Sequence, residues 1–169
     1  MSRPRLLIAE DDEALAALLE EYLSEADYDI SVCHRGDDAL KLLRQEHFDL
    51  VLSEIVMPGA DGLTLLAEAH SEPAKTLVVL MTGYSGIEDA IHAVEQGAYD
   101  FVSKPFQLPE IRVRLDNAAK YQSMLRRWDS VKGEGGVDLS NDSYLAFQSA
   151  ELATNPGQAA IRAYGIVRE

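Results

Sequence analysis

VLSEIVMPGADG, residues 51–62, runs an apolar strand into a carboxylate, Glu54, and then through Met57-Pro58-Gly59 into the turn Asp61-Gly62. Proline and glycine mark where regular structure stops. The charge therefore sits where a buried strand ends. What surrounds that end decides both the fold and the chemistry.

Working outward, the same kind of β-rich apolar run recurs as RLLIA, YDISVC, TLVVLM and YDFVS, with DLVLS as the central one. Helical patterns separate them. Residues 13 to 26 carry Leu15, Leu18, Leu19, Tyr22 and Leu23 at helical spacing, and residues 36 to 46, 62 to 70 and 87 to 96 read alike. Five such strands with intervening helices predict an α/β fold: a doubly wound, five-stranded parallel sheet with helices on both faces. The commonest five-stranded order of this kind is the flavodoxin-like 2-1-3-4-5, and its sites lie at the carboxyl ends of the strands.

A last helix begins near Pro109 and has no obvious stop before Gly133. Leu108, Ile111, Leu115, Ala118, Gln122 and Leu125 follow one another in steps of three and four, the spacing of a coiled-coil seam. That spacing leaves two readings open, packing on the chain's own sheet and self-association, with Trp128 as an added anchor. KGEGG, residues 132–136, reads as a flexible break. Beyond it, NDSYLAFQSAELA and AAIRAYGIVR have weak helical patterns separated by the turn TNPGQ. The division expected is a domain over residues 1–125, then a helical extension, a Gly-rich linker and an unassigned tail over 126–169.

The 169 residues are 47% hydrophobic and 26% charged, as in a globular domain large enough to bury a core. A formal net charge of −14 repels phosphate backbones and anionic lipid, so direct DNA binding and membrane attachment are not expected. No apolar run approaches the roughly 20 residues needed to span a bilayer. The single cysteine, Cys33, has no internal disulfide partner, which suits a cytoplasmic protein. His34, His47, His70 and His92 lack ligand spacing and give no sign of zinc.

The ends of the predicted strands collect one constellation. The first ends in Glu10, Asp11 and Asp12, the third in Glu54, the fourth in Thr82 and the fifth in Lys104. Carboxylates converging in one crevice repel unless a cation joins them, and a hard divalent ion such as Mg²⁺ suits oxygen ligands. Lys104 would neutralise part of the remaining charge.

LLIAEDDE, DLVLSEIVMPGADGL, VVLMTGYS and GAYDFVSKPF, in that order and spacing, resemble the receiver domain of bacterial response regulators over residues 5 to about 122. The resemblance implies a two-component phosphorelay protein that is not itself an enzyme and whose partner histidine kinase phosphorylates an aspartate. It implies that Asp11 and Asp12 are the metal-binding acidic pair, with Glu54 a further metal ligand. Thr82 would be the switch hydroxyl, Phe101 the aromatic switch residue and Lys104 the counter-charge to the phosphoryl group. The Lys104–Pro105 bond stands at a junction often cis in the family. The partner face would be residues 86 to 122, extended to Trp128, giving a homodimer through residues 86–128.

Glu54 departs from the family, because it occupies the phosphoacceptor position. Its extra methylene moves the carboxylate by ~1.5 Å. A misplacement of about 1 Å can cost roughly a hundredfold in rate where catalysis rests on positioning. The expectation is a pseudo-receiver that works without phosphorylation or partly imitates it; the alternatives are a receiver still phosphorylated with Mg²⁺, and a flavin-binding protein. The last is disfavoured because EDDE, after the first strand, repels phosphate where a flavin's phosphate loop needs donors.

Overall fold

The computed structural model describes residues 3–71, 76–83 and 87–135. Ten elements alternate along them: β1 Arg5–Ala9, α1 Glu13–Ser24, β2 Asp29–Cys33, α2 Gly36–Gln45, β3 Leu50–Glu54, α3 Gly62–Ser71, β4 Leu77–Thr82, α4 Ile87–Glu95, β5 Asp100–Ser103 and α5 Leu108–Gly135. The strands form one sheet in the order β2-β1-β3-β4-β5. Every neighbouring pair is parallel, with Ala9 opposite Ser53 and Glu54 opposite Met81. This is the flavodoxin-like, doubly wound α/β fold expected from the sequence.

Strand alternation sorts the core into two layers. Leu7, Val51, Val78 and Leu80 face α2, α3 and α4, where they meet Leu43, Leu65, Ala90 and Val94. Leu6, Ile8, Leu50, Leu52 and Val79 point the other way, onto Leu19 and Leu23 of α1 and Ile111, Leu115 and Ala118 of α5. Burial on both faces is why these strands read as unbroken apolar runs rather than as alternation.

Two predicted segments differ from the structure. The first helix stops at Ser24, not residue 26, because Ala26 N–H turns back to the Leu23 carbonyl and Asp27 takes φ +65°. Aspartate tolerates that left-handed conformation better than most residues. KGEGG was expected to break the chain, yet the α5 backbone stays helical to Gly135. Glycine weakens a helix by only about 1 kcal/mol per residue, which near an end does not force a stop. The tail segments NDSYLAFQSAELA, TNPGQ and AAIRAYGIVR lie outside the described residues.

The α5 seam packs on its own sheet. Ile111, Leu115 and Ala118 are fully buried there, and Leu125 nearly so. Gln122, the odd polar member of the seam, is buried as well and donates from Nε2 to the Asp49 carbonyl at 2.7 Å. These positions are used inside the fold. Any surface for a second copy has to come from the other faces of the helix.

Candidate functional site

The loop that follows β3 is held from both sides. Gly36 N–H donates to the Pro58 carbonyl at 2.9 Å, and a Cβ at Gly36 would stand 1.6 Å from the Ala60 carbonyl oxygen. Only a residue without a side chain lets the start of α2 lie this close to the loop. Gly59 takes φ +87°, and Asp61 caps α3 by accepting from Thr64 N–H at 2.8 Å. The loop therefore turns sharply away, and Glu54 is left at the carboxyl edge of the sheet.

Three side chains meet there. Glu10, one residue past β1, is 1% exposed; Glu54 is 8% exposed; Lys104, one residue past β5, reaches between them with 28% of its side chain accessible. Lys104 Nζ lies 3.1 Å from Glu10 Oε2 and 2.6 Å from Glu54 Oε2. It donates a hydrogen bond to Glu10. Its closer contact, to Glu54, is an ion pair. Burial raises the Glu10 pKa, and the nearby Glu54 charge adds to the rise, more than the Asp12 N–H and Lys104 lower it. Burial opposes the charge on Lys104 too, but Glu54 and Glu10 together hold its pKa above the ordinary value.

The three acids after β1 are placed differently from one another. Asp12 was expected in a metal-binding pair with Asp11. Asp12 caps α1, its Oδ1 accepting from Leu15 N–H at 3.1 Å, while its own N–H donates to Glu10 Oε1 at 3.1 Å. Asp11 is exposed. The acid that faces Glu54 and Lys104 is Glu10. A sequence signal for this was present, since an aspartate directly before a helical apolar pattern is a preferred N-cap.

Thr82 ends β4, is buried, and donates from its hydroxyl to the Gly83 carbonyl at 3.0 Å. Phe101 is buried in the layer under α2, α3 and α4. The Lys104–Pro105 peptide is cis, and Lys104 N–H donates to the Thr82 carbonyl at 2.7 Å, which ties the lysine backbone to the end of β4. His34 Nδ1 lies 3.1 Å from the Glu10 carbonyl oxygen.

Glu10 and Glu54 bring two carboxylates together at the strand ends, and one or two carboxylates are the usual protein share of a Mg²⁺ site that keeps several waters. Among the described residues no three His, Cys, Asp or Glu side chains are grouped to hold a metal. The two carboxylates that do converge share the Lys104 ammonium, while Asp12 is engaged at the start of α1.

A second polar cluster, absent from the sequence reading, lies at the opposite end of β3. The Asp49 carboxylate accepts from Arg5 N–H at 2.7 Å and pairs with Arg126 of α5, with His47 Nε2 at 3.3 Å. Arg5 in turn lies over the Phe48 ring, 4.6 Å from its centre. Arg126 lies 77 residues from Asp49, and no local pattern joins two residues that far apart.

Residues 6–116 match the model of the response regulator receiver domain. The chain is 36% identical over 120 residues to the regulatory protein AtoC of Escherichia coli, covering 71% of this chain and 26% of that protein. It is 40% identical over 113 residues to the transcriptional activator protein PfeR of Pseudomonas aeruginosa, covering 67% of this chain and 37% of that one. The chain thus spans well under two thirds of either relative. Among solved structures, the receiver domain of an HD domain-containing protein from Pseudomonas fluorescens superposes with a TM-score of 0.69 at 30% identity, covering 75% of this chain and 94% of that one. The receiver domain of a LuxO-type repressor protein from Vibrio parahaemolyticus gives 0.69 at 26% identity, covering 78% and 99%. With the sheet order, the strand-end constellation and a family match over most of the chain in agreement, this protein belongs to the response regulator receiver domain family.

Proposed function

We propose that this chain is a receiver module that signals through its bound partners without phosphorylation, because Glu54 stands in the acceptor position with its charge already matched. The observation that carries this reading is the 2.6 Å contact between Glu54 Oε2 and Lys104 Nζ. A phosphoryl group entering such a site brings about −1.5 to −2 charge, which a counter-charge must meet. Here the lysine is engaged by Glu54 and Glu10 together.

Glu54 does not act as a phosphate mimic in this arrangement. Imitation requires its carboxylate to draw the Thr82 hydroxyl, and that hydroxyl donates to the neighbouring Gly83 carbonyl. Glu54 therefore holds one state of the site. Phosphoryl transfer relies on in-line positioning, and the extra methylene of Glu54 displaces the acceptor oxygen by ~1.5 Å. Partners under this reading are a histidine kinase or another signalling protein, in the cytoplasm, with a second copy docking through residues 86–128. No described helix is long and apolar enough to cross a membrane.

The test is intact mass after incubation with a small-molecule phosphodonor and Mg²⁺, for the wild type and Glu54→Asp. A phosphate gained only by Glu54→Asp supports the proposal. A phosphate gained by the wild type and lost in Glu54→Gln overturns it and makes Glu54 a working acceptor.

A further inference from the structure

We infer that His47 is a proton-controlled rival of Arg126 for the Asp49 carboxylate, and that its protonation releases the extension of α5 from the amino edge of the sheet. The device lies at the end of β3 remote from Glu54 and requires nothing of the acceptor position.

One ring nitrogen faces two partners. His47 Nε2 lies 3.3 Å from Asp49 Oδ1 and 3.0 Å from Arg126 Nη2, and that same guanidinium nitrogen is bonded to that same Asp49 oxygen. A neutral imidazole nitrogen either donates or accepts. With its lone pair toward Arg126, neutral His47 accepts from the guanidinium and helps to hold it. Protonated, Nε2 can only donate, so it turns to Asp49 Oδ1 and sets a second cation against Arg126. The other carboxylate oxygen is already engaged, since Asp49 Oδ2 accepts from Arg5 N–H at 2.7 Å.

The surrounding charges favour the exchange. The Arg5 guanidinium donates to the His47 carbonyl and to Glu46, both at 2.9 Å, which fixes the backbone of His47 while its side chain stays 44% exposed to water. Arg126 also lines a cavity of about 610 Å³ at this edge, with Arg3, Glu20 of α1 and Asp29 of β2. Those two acids offer a displaced guanidinium another carboxylate. Leu125 is the last described residue of α5 in the core, and Arg126 follows it on a helix that runs on to Gly135. Asp49, held below the usual carboxylate value, stays charged while a histidine ordinarily titrates, between about pH 8 and 5. Its attraction for Arg126 therefore persists, and the change is in the position of the helix end rather than in overall stability.

The experiment follows the fluorescence of Trp128, the chain's only tryptophan and two residues past Arg126, in the full chain from about pH 8 to about pH 5. The wild-type emission should shift across that range. The shift should vanish in His47→Asn, which takes up no proton, and in Arg126→Gln, which has no guanidinium to displace. Amide exchange over residues 126–135, corrected for its intrinsic pH dependence, should quicken about fivefold in the wild type through the loss of one hydrogen bond. A wild type with no shift or with unchanged exchange overturns the inference. So does a shift that survives in His47→Asn, which would assign the response to another group such as His34, His70 or His92. A shift that survives in Arg126→Gln overturns it as well, because the proton would then act on the tryptophan directly. The wild-type titration decides the matter even if a variant fails to fold.

Discussion

Removing the ammonium of Lys104 should cost stability in a pH-dependent way. In Lys104→Met two carboxylates, one 1% and one 8% exposed, face each other with no cation between them. Taking one partner from a buried ion pair costs about 3–5 kcal/mol, because the remaining charge is left desolvated. Lys104 keeps 28% of its side chain in water, so screening places the expected loss at the lower end, about 3 kcal/mol at neutral pH. In a domain of this size that corresponds to a fall of roughly 10 °C in melting temperature. Methionine preserves the packing of the stem, so the loss is electrostatic.

The pH dependence separates this account from a packing defect. Burial already raises the Glu10 pKa, and Lys104 opposes that rise, so the variant's Glu10 titrates higher still. For a group whose pKa is raised by folding, the stabilising protonated form is fully present below the unfolded value and is lost as pH rises through the folded value. The deficit of Lys104→Met should be largest at neutral pH and shrink as pH falls toward the ordinary glutamate value of 4.5. Urea unfolding of both proteins at about pH 7 and about pH 5 measures it. A deficit below about 1 kcal/mol at neutral pH, or one that is equal at both, refutes the reasoning.

Two further substitutions probe the scaffold. Gly36→Ala places a Cβ 1.6 Å from the Ala60 carbonyl oxygen, a backbone atom that cannot rotate away, and should cost about 3 kcal/mol or more in thermal unfolding; a loss under about 1 would mean the loop after β3 moves freely. Arg126→Ala should cost only about 1 kcal/mol, since the arginine is 49% exposed. Burial pushes Asp49 up, but Arg5 N–H and Arg126 together hold it below the usual carboxylate value. The contribution is therefore present above the ordinary aspartate value of 3.8 and lost as pH falls through the folded one, so the gap between wild type and variant should close in acid. A gap in urea unfolding that is the same at neutral pH and well below the ordinary aspartate value of 3.8 would exclude Asp49 as the partner that matters.

Most of the fold was legible because parallel strands buried on two faces announce themselves as apolar runs. RLLIA is β1 without adjustment, Arg5–Ala9. Periodicity was weaker where it had to say what covers a surface. The steps of three and four in α5 mark a buried stripe, and sheet or second copy would produce the same stripe; only the three-dimensional arrangement puts Ile111 and Leu115 on Val79 and its neighbours. Gln122 looked like a flaw in that stripe and is a donor to the Asp49 carbonyl, a contact across 73 residues that no local pattern encodes. At the site, three consecutive acids suggested one shared role. A strand end and a helix start fall within those three residues, so each carboxylate points somewhere different: Glu10 inward, Asp11 to solvent, Asp12 to the helix N-terminus.

The two ends of β3 suggest how a receiver of this composition transmits anything at all. At one end Glu54 is matched by Lys104, and at the other Asp49 is bound to Arg126 on the extension of α5. Thr82 is satisfied by Gly83, and Phe101 is packed under the helices. Under the proposed function no new charge arrives to disturb these pairs. A conformational equilibrium shifts only as far as a ligand's affinities for the two states differ. The change must then come from a partner that holds one arrangement of the exposed α4, β5 and α5 surface more tightly than another. Such a chain reports the presence of its partner, and its response should follow partner concentration rather than phosphodonor supply.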